Sequence, residues 1–261
     1  MKVSTIDVAA RSDRGKKRET NEDAYLVFRS GRFLKRIQSN ISEEEMGSHY
    51  DEVGYVLAVA DGMGGAAAGE QASRGALVEA LQLILRSPKW LLSLDDPATR
   101  ESDIQAFFDR MKLYFAGMHA ALLRKAAEDP SVAGMGTTAT VVYVLGGDLF
   151  VVHVGDSRAY LHRDGALRRI THDHTVAQSL ADSGKIAQEE VDTHPRRHVL
   201  TQVVGGSGGW FRAEMHHLRL QSGDTVVVCT DGLTGTASDE EIAQVLTKAR
   251  SSDAACDTLL A

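Results

Sequence analysis

Three runs of apolar, β-branched residues in this chain end in an aspartate beside a glycine. Tyr55–Ala60 (YVLAVA) runs into Asp61-Gly62, VVHV into Gly155-Asp156, and Thr225–Cys229 (TVVVC) into Thr230-Asp231-Gly232. A fourth acidic pair, Glu22-Asp23, directly precedes the strand-like run Ala24–Phe28. Taken singly, each is a turn, because Asp bonds its own backbone and Gly accepts positive φ. Taken together they restrict the fold more severely. Strands this apolar belong in a core, so their ends would gather carboxylates at one sheet edge. Each such carboxylate costs several kcal/mol unless a cation compensates it.

The remaining pattern says what kind of core this is. Tyr55–Ala60, Thr137–Leu145, Leu149–Val154 and Thr225–Cys229 read as strands, and short turns such as Gly146-Gly147 join them as antiparallel hairpins. Two longer stretches carry helical spacing. Between Gly69 and Arg86, Leu77, Leu81, Ile84 and Leu85 fall on one face; between Ser102 and Lys125, Ile104, Phe108, Met111, Phe115, Met118 and Leu122 do the same. The expected fold class is α+β, with helices layered on antiparallel sheets. With four prolines, no repeat and no linker-like tract, residues 1–261 read as one domain. Two segments break the grammar. Arg29–Val53, with its SEEE run at Ser42–Glu45, reads as a mobile, solvated loop. Asp173–Gly206 is long, polar and punctuated by glycine, and reads as a surface lid with one helix-like part, AQSLADSGKIAQEE.

Charge and composition narrow the function. The 29 Lys and Arg against 36 Asp and Glu leave a net charge of −7, which argues against a nucleic-acid partner. Two cysteines, Cys229 and Cys256, make no disulfide framework. No apolar run approaches the roughly 20 residues that span a bilayer, and the N-terminus lacks a signal-peptide core. The expectation is a cytoplasmic protein with no membrane partner.

An all-oxygen cluster selects Mg²⁺ or Mn²⁺ over Zn²⁺. One aspartate shared by two such ions would set them about 3.5–4 Å apart, a spacing that activates water for in-line attack on phosphorus. Arg18, in RGKKRETNED, stands just before Glu22 and Asp23 and suits a phosphoryl dianion. Equally, Arg11, Arg14, Lys16, Lys17 and Arg18 read as a solvated basic stretch.

Six segments in order, RGKKRETNED, ADGMGGAAAGE, GTTAT, VHVGDSRAY, THDHT…LADSGKI…HPRRHVLTQVVGG and SGDTVVVCTDGL, resemble the successive motifs of metal-dependent type 2C (PPM) Ser/Thr protein phosphatases of the bacterial kind. The resemblance runs from about Asp13 to about Val245. It implies a four-layer α/β/β/α sandwich, two antiparallel sheets flanked by helices, with two Mn²⁺ or Mg²⁺ ions and a weaker third at one end. Asp61 resembles the aspartate that bridges both metals, the Gly62 carbonyl a ligand of the first, and Asp231 a ligand of the second. Asp156 resembles the residue that holds the third with Asp231. Glu22 and Asp23 match acids that orient metal-bound waters, Arg18 the phosphate-binding arginine, and residues 173–206 the flap. The implied activity is hydrolysis of phosphoserine and phosphothreonine in proteins, a Ser/Thr kinase among them, by a monomer. A phosphatase-like binding module with weak or no turnover is the alternative.

Three departures accompany the resemblance. Met63 and Ala66 stand where some members carry His, which leaves a metal-bound water as proton donor for the leaving group and His174 as runner-up. The family's late Asp-Asn strand is missing after Asp231, and the helix-like stretch beginning near Asp239 is followed soon by the last residue. This implies a weakly held second metal and a sheet with an open edge.

Overall fold

The computed structural model describes residues 6–16, 18–34, 50–87, 94, 96–207, 209 and 211–261. Two antiparallel sheets form its centre. The first contains β1 (Asp23–Leu34), β2 (Tyr50–Met63), β3 (Gly136–Thr137), β4 (Ala139–Leu145), β5 (Asp148–Val154), β8 (Val204–Gly205) and β9 (Glu214–Arg219). Its order is β8-β3-β2-β4-β5-β9, and β1 also pairs with β2. The second contains β6 (Arg158–Arg163), β7 (Ala166–Arg169) and β10 (Thr225–Cys229) in the order β10-β6-β7.

Alternation along the strands builds the layers. On β4, Tyr143 and Leu145 pack with helices α1 (Ala66–Arg86) and α2 (Arg100–Glu128), whereas Val142 and Val144 point at the second sheet. On β5, Phe150, Val152 and Val154 face the helices, while Leu149 and Val151 face the second sheet. On β10, Val226 and Val228 turn inward, and Val227 packs outward against α5 (Asp239–Lys248) and α6 (Ser252–Leu259). The order is therefore helices, sheet, sheet, helices, as the α+β expectation has it. No helix among the described residues is long and apolar enough to cross a membrane.

Several local readings need correction. On α1, Leu77 is buried, but Leu85 is 75% exposed in the last turn. On α2, the buried stripe is wider than expected and includes Phe107 and Tyr114. The presumed loop from Arg29 is strand to Leu34, and β2 starts at Tyr50, because an antiparallel ladder satisfies backbone groups without needing an apolar face. The SEEE run lies outside the described residues. The strand expected over Thr137–Leu145 breaks at Thr138, whose backbone and side chain both serve Asp61. The helix-like AQSLADSGKIAQEE is α3 (Val176–Asp182), a break at Ser183-Gly184, then a 3-10 turn at Gln188–Thr193. Its surroundings are less superficial than a lid, since Asp173, Thr175, Ala177 and Gln178 are buried.

Strand β10 is an edge. Among the described residues its outer side carries no strand and faces a groove of about 3050 Å³, lined by Leu57, Val226, Val228 and the segment Ile6–Arg14.

Phe115, 1% exposed in the helix-facing core, and Leu85 test the assignment of faces. Phe115→Ala should cost about 3–5 kcal/mol in urea unfolding, and Leu85→Ala within about 0.5 kcal/mol of zero.

Candidate metal centre

The acidic residues converge where β1, β2, β5 and β10 end. Asp23 and Asp61 face each other directly across the β1–β2 ladder. Asp61 is fixed from behind: Thr138 Oγ1 accepts its N–H at 2.9 Å, and its carbonyl accepts the Thr138 N–H at 2.9 Å and the Thr137 hydroxyl at 2.8 Å. The Glu22 carbonyl accepts the Gly62 N–H at 3.2 Å and the Ser73 hydroxyl at 2.6 Å, tying β1, β2 and α1 together. A side chain at Gly62 would collide with the Gly69 carbonyl of α1, so the strand end can approach the helix only as glycine. Asp156 follows Gly155, whose φ of +114° lets the chain turn sharply off β5 against Thr138. Asp231 opens α4 (Asp231–Thr234), and the preceding Thr230 donates its hydroxyl to Asp23 Oδ2 at 2.8 Å.

Electrostatics confirm how crowded this end is. Burial first, then the charges of Asp23, Asp231 and Asp156, pushes the Asp61 carboxyl up to about 9. Burial, Asp231 and Asp173 push Asp156 up to about 7. Asp23 is raised by burial, against the Thr230 hydroxyl that lowers it. A metal-free cluster therefore keeps protons at neutral pH. The donors are hard oxygens short of positive charge, and they fit a divalent cation of the Mg²⁺ or Mn²⁺ kind.

The acidic residues singled out in the sequence, with Gly62 and Arg18, lie at this end. Glu22 is mostly buried beside Gly69, and Arg18 stands at the rim with its side chain 64% exposed, 3.9 Å from Glu22 Oε1. His174 lies elsewhere, its Nδ1 accepting the Gly155 N–H at 3.1 Å. One residue was not foreseen. His198, 53% exposed, reaches down from the segment 173–206 to 3.4 Å from Asp231 Oδ2, and Asp156, His198 and Asp231 present ligand atoms within 4.8 Å of one another. Nothing in the spacing of HPRRHV signals this contact, which depends on how the segment folds back.

The family model for protein phosphatase 2C matches residues 37–258. This chain belongs to the protein phosphatase 2C family. It is 37% identical over 238 residues to the serine/threonine protein phosphatase PstP of Mycobacterium tuberculosis, covering 91% of this chain but 38% of that protein. It therefore spans well under half the length of that relative. It is 30% identical over 251 residues to the serine/threonine phosphatase stp of Listeria welshimeri, covering 96% of this chain and 86% of the relative. The solved catalytic domain of PstP in complex with two manganese ions superposes with a TM-score of 0.70 at 29% identity, covering 97% of this chain and 88% of that one. The four-layer fold is the fold of the family.

The raised carboxyls set a pH dependence. Asp61 and Asp156 hold protons in the folded chain that the unfolded chain releases near pH 4, so stability without divalent cations falls as pH rises through about 7 and about 9. In EDTA at pH 8, Asp61→Asn should melt at a higher temperature than wild type and depend less on pH. Calorimetric melts in which the variant is the less stable would contradict the buried-carboxylate description.

Proposed function

We propose that this chain hydrolyses phosphoserine and phosphothreonine in proteins, a Ser/Thr kinase among its substrates, with two divalent cations, Mn²⁺ or Mg²⁺, as cofactors. The observation that carries the reading is the convergence of Asp23, Asp61, Asp156 and Asp231, with Asp156 buried and the other three partly so, which is poorly stable as four anions and offset by cations. When bound, two such ions would act as Lewis acids on the phosphoryl oxygens and activate water for in-line attack.

The chain's own residues divide the remaining work. Asp61, its backbone held by Thr137 and Thr138, would be the ligand common to both ions. The Gly62 carbonyl would serve the first ion and Asp231 the second. Asp156 and Asp231 would hold a third, weaker ion, with His198 beside them. Glu22 and Asp23 hold and orient water through their carboxylates, and the Thr230 hydroxyl aims Asp23. Arg18 binds the phosphoryl group of the incoming phosphopeptide through its guanidinium fork, free to do so at an exposed rim.

A Mn²⁺-dependent assay on a phosphothreonine peptide tests the reading. Asp61→Asn should abolish turnover with the fold intact; near-normal turnover at saturating Mn²⁺ would overturn the assignment. Arg18→Ala should raise KM more than it lowers kcat, because the guanidinium binds the ground-state dianion. An unchanged KM would return Arg18 to the solvated basic stretch. Phosphopeptide binding without hydrolysis by the wild-type chain would favour the binding-module alternative.

A further inference from the structure

A second group of metal-capable side chains lies outside the acidic centre. His153 on β5 and Glu214 on β9 are direct cross-strand partners, so their side chains share a face. His174 joins them from the loop before α3, its ring 5.0 Å from that of His153. Each of the three presents a ligand atom within 4.8 Å of the other two. His153 is fully buried, and its Nε2 has no hydrogen-bond partner. Its Nδ1 lies 2.8 Å from Thr140 Oγ1. In the tautomer that donates from Nδ1 to that hydroxyl, Nε2 offers its lone pair to an ion. Burial also holds the ring neutral, its pKa pushed down to about 4.

We propose that His153, His174 and Glu214 form a second metal site that takes a zinc-like ion rather than Mg²⁺. Two imidazoles and one carboxylate are the ligand chemistry of Zn²⁺, and they leave a fourth position for water. The outer contacts are those such a site needs. Thr140 orients His153, while Glu214 is held by His216 Nε2 at 2.5 Å and by the His172 N–H at 2.9 Å. Glu214 is the least buried of the three. One rearrangement accompanies binding. His174 Nδ1 accepts the Gly155 N–H, so its proton sits on Nε2. An ion at Nε2 requires that proton on Nδ1 instead, with no net proton released, which would set two N–H donors facing each other across 3.1 Å. The His174 ring therefore has to turn away from Gly155 as the ion binds, and the lost backbone hydrogen bond is offset by the metal–ligand bonds.

The test uses the full chain in saturating Mg²⁺, which fills the oxygen-rich centre, titrated with Zn²⁺ by calorimetry and with Co²⁺ by visible absorption. Wild type should bind a single zinc ion, and Co²⁺ should give the intense band of a tetrahedral site. Glu214→Gln should weaken zinc binding by roughly 10–100-fold and lose that band; Glu214 is on an edge strand, where the change is tolerated. His153→Gln should do the same if it folds. Asp61→Asn should leave zinc binding unchanged. Equal zinc affinity in Glu214→Gln, loss of zinc in Asp61→Asn, or no zinc bound by wild type, as expected of a cavity holding only water, would each overturn the proposal.

Discussion

Mutual repulsion among buried carboxylates is the constraint around which this protein is organised. Asp23, Asp61, Asp156 and Asp231 come from four elements whose strands end together, and burial, with the neighbouring charges added, makes ionisation of Asp23, Asp61 and Asp156 unfavourable. Nothing in a hydrophobic core would keep such groups adjacent. They stay because the backbone around them is over-determined. Thr137 and Thr138 clamp Asp61 through three hydrogen bonds, and Thr230 bridges β10 to Asp23. The scaffold holds the charges in place and a cation removes the penalty, so stability and metal affinity are two readings of one energy.

The same repulsion reaches into the segment 173–206. Asp173 adds to the charge opposing Asp156, yet it is buried. Arg158 makes this possible, placing Nε 3.1 Å from both Asp173 oxygens and Nη2 2.6 Å from one of them. The base of the segment is therefore anchored to β6 by a buried charge pair, while residues further out, such as His198, lie more exposed over the acidic end.

What the sequence made legible follows from apolar runs and helical spacing. The run Thr137–Leu145 reads as strand, and within β4 the structure sends Tyr143 and Leu145 to one face and Val142 and Val144 to the other. Asp61, Asp156 and Asp231 were legible because strand ends converge once the strands do. Strand β9, Glu214–Arg219, was not, since EMHHLR is a half-buried edge that needs no apolar stripe. His198 and the pairing of His153 with Glu214 were hidden for another reason. Each depends on a contact between segments far apart in the chain, and no local spacing encodes it.

The contact of Gly62 with Gly69 gives the molecule a corner that cannot drift. Most cores absorb a gained or lost methyl by shifting side chains, but here two backbones touch with no side chain between them to yield. Glu22 closes the third side, its carbonyl already engaged by Gly62 and Ser73. Any enlargement would lift α1 from the strand that carries Asp61. Variation in this chain should therefore collect where the structure has slack, such as the outer face of α1 around the exposed Val78 and Leu85, leaving the corner as a fixed gauge for the spacing of the acids.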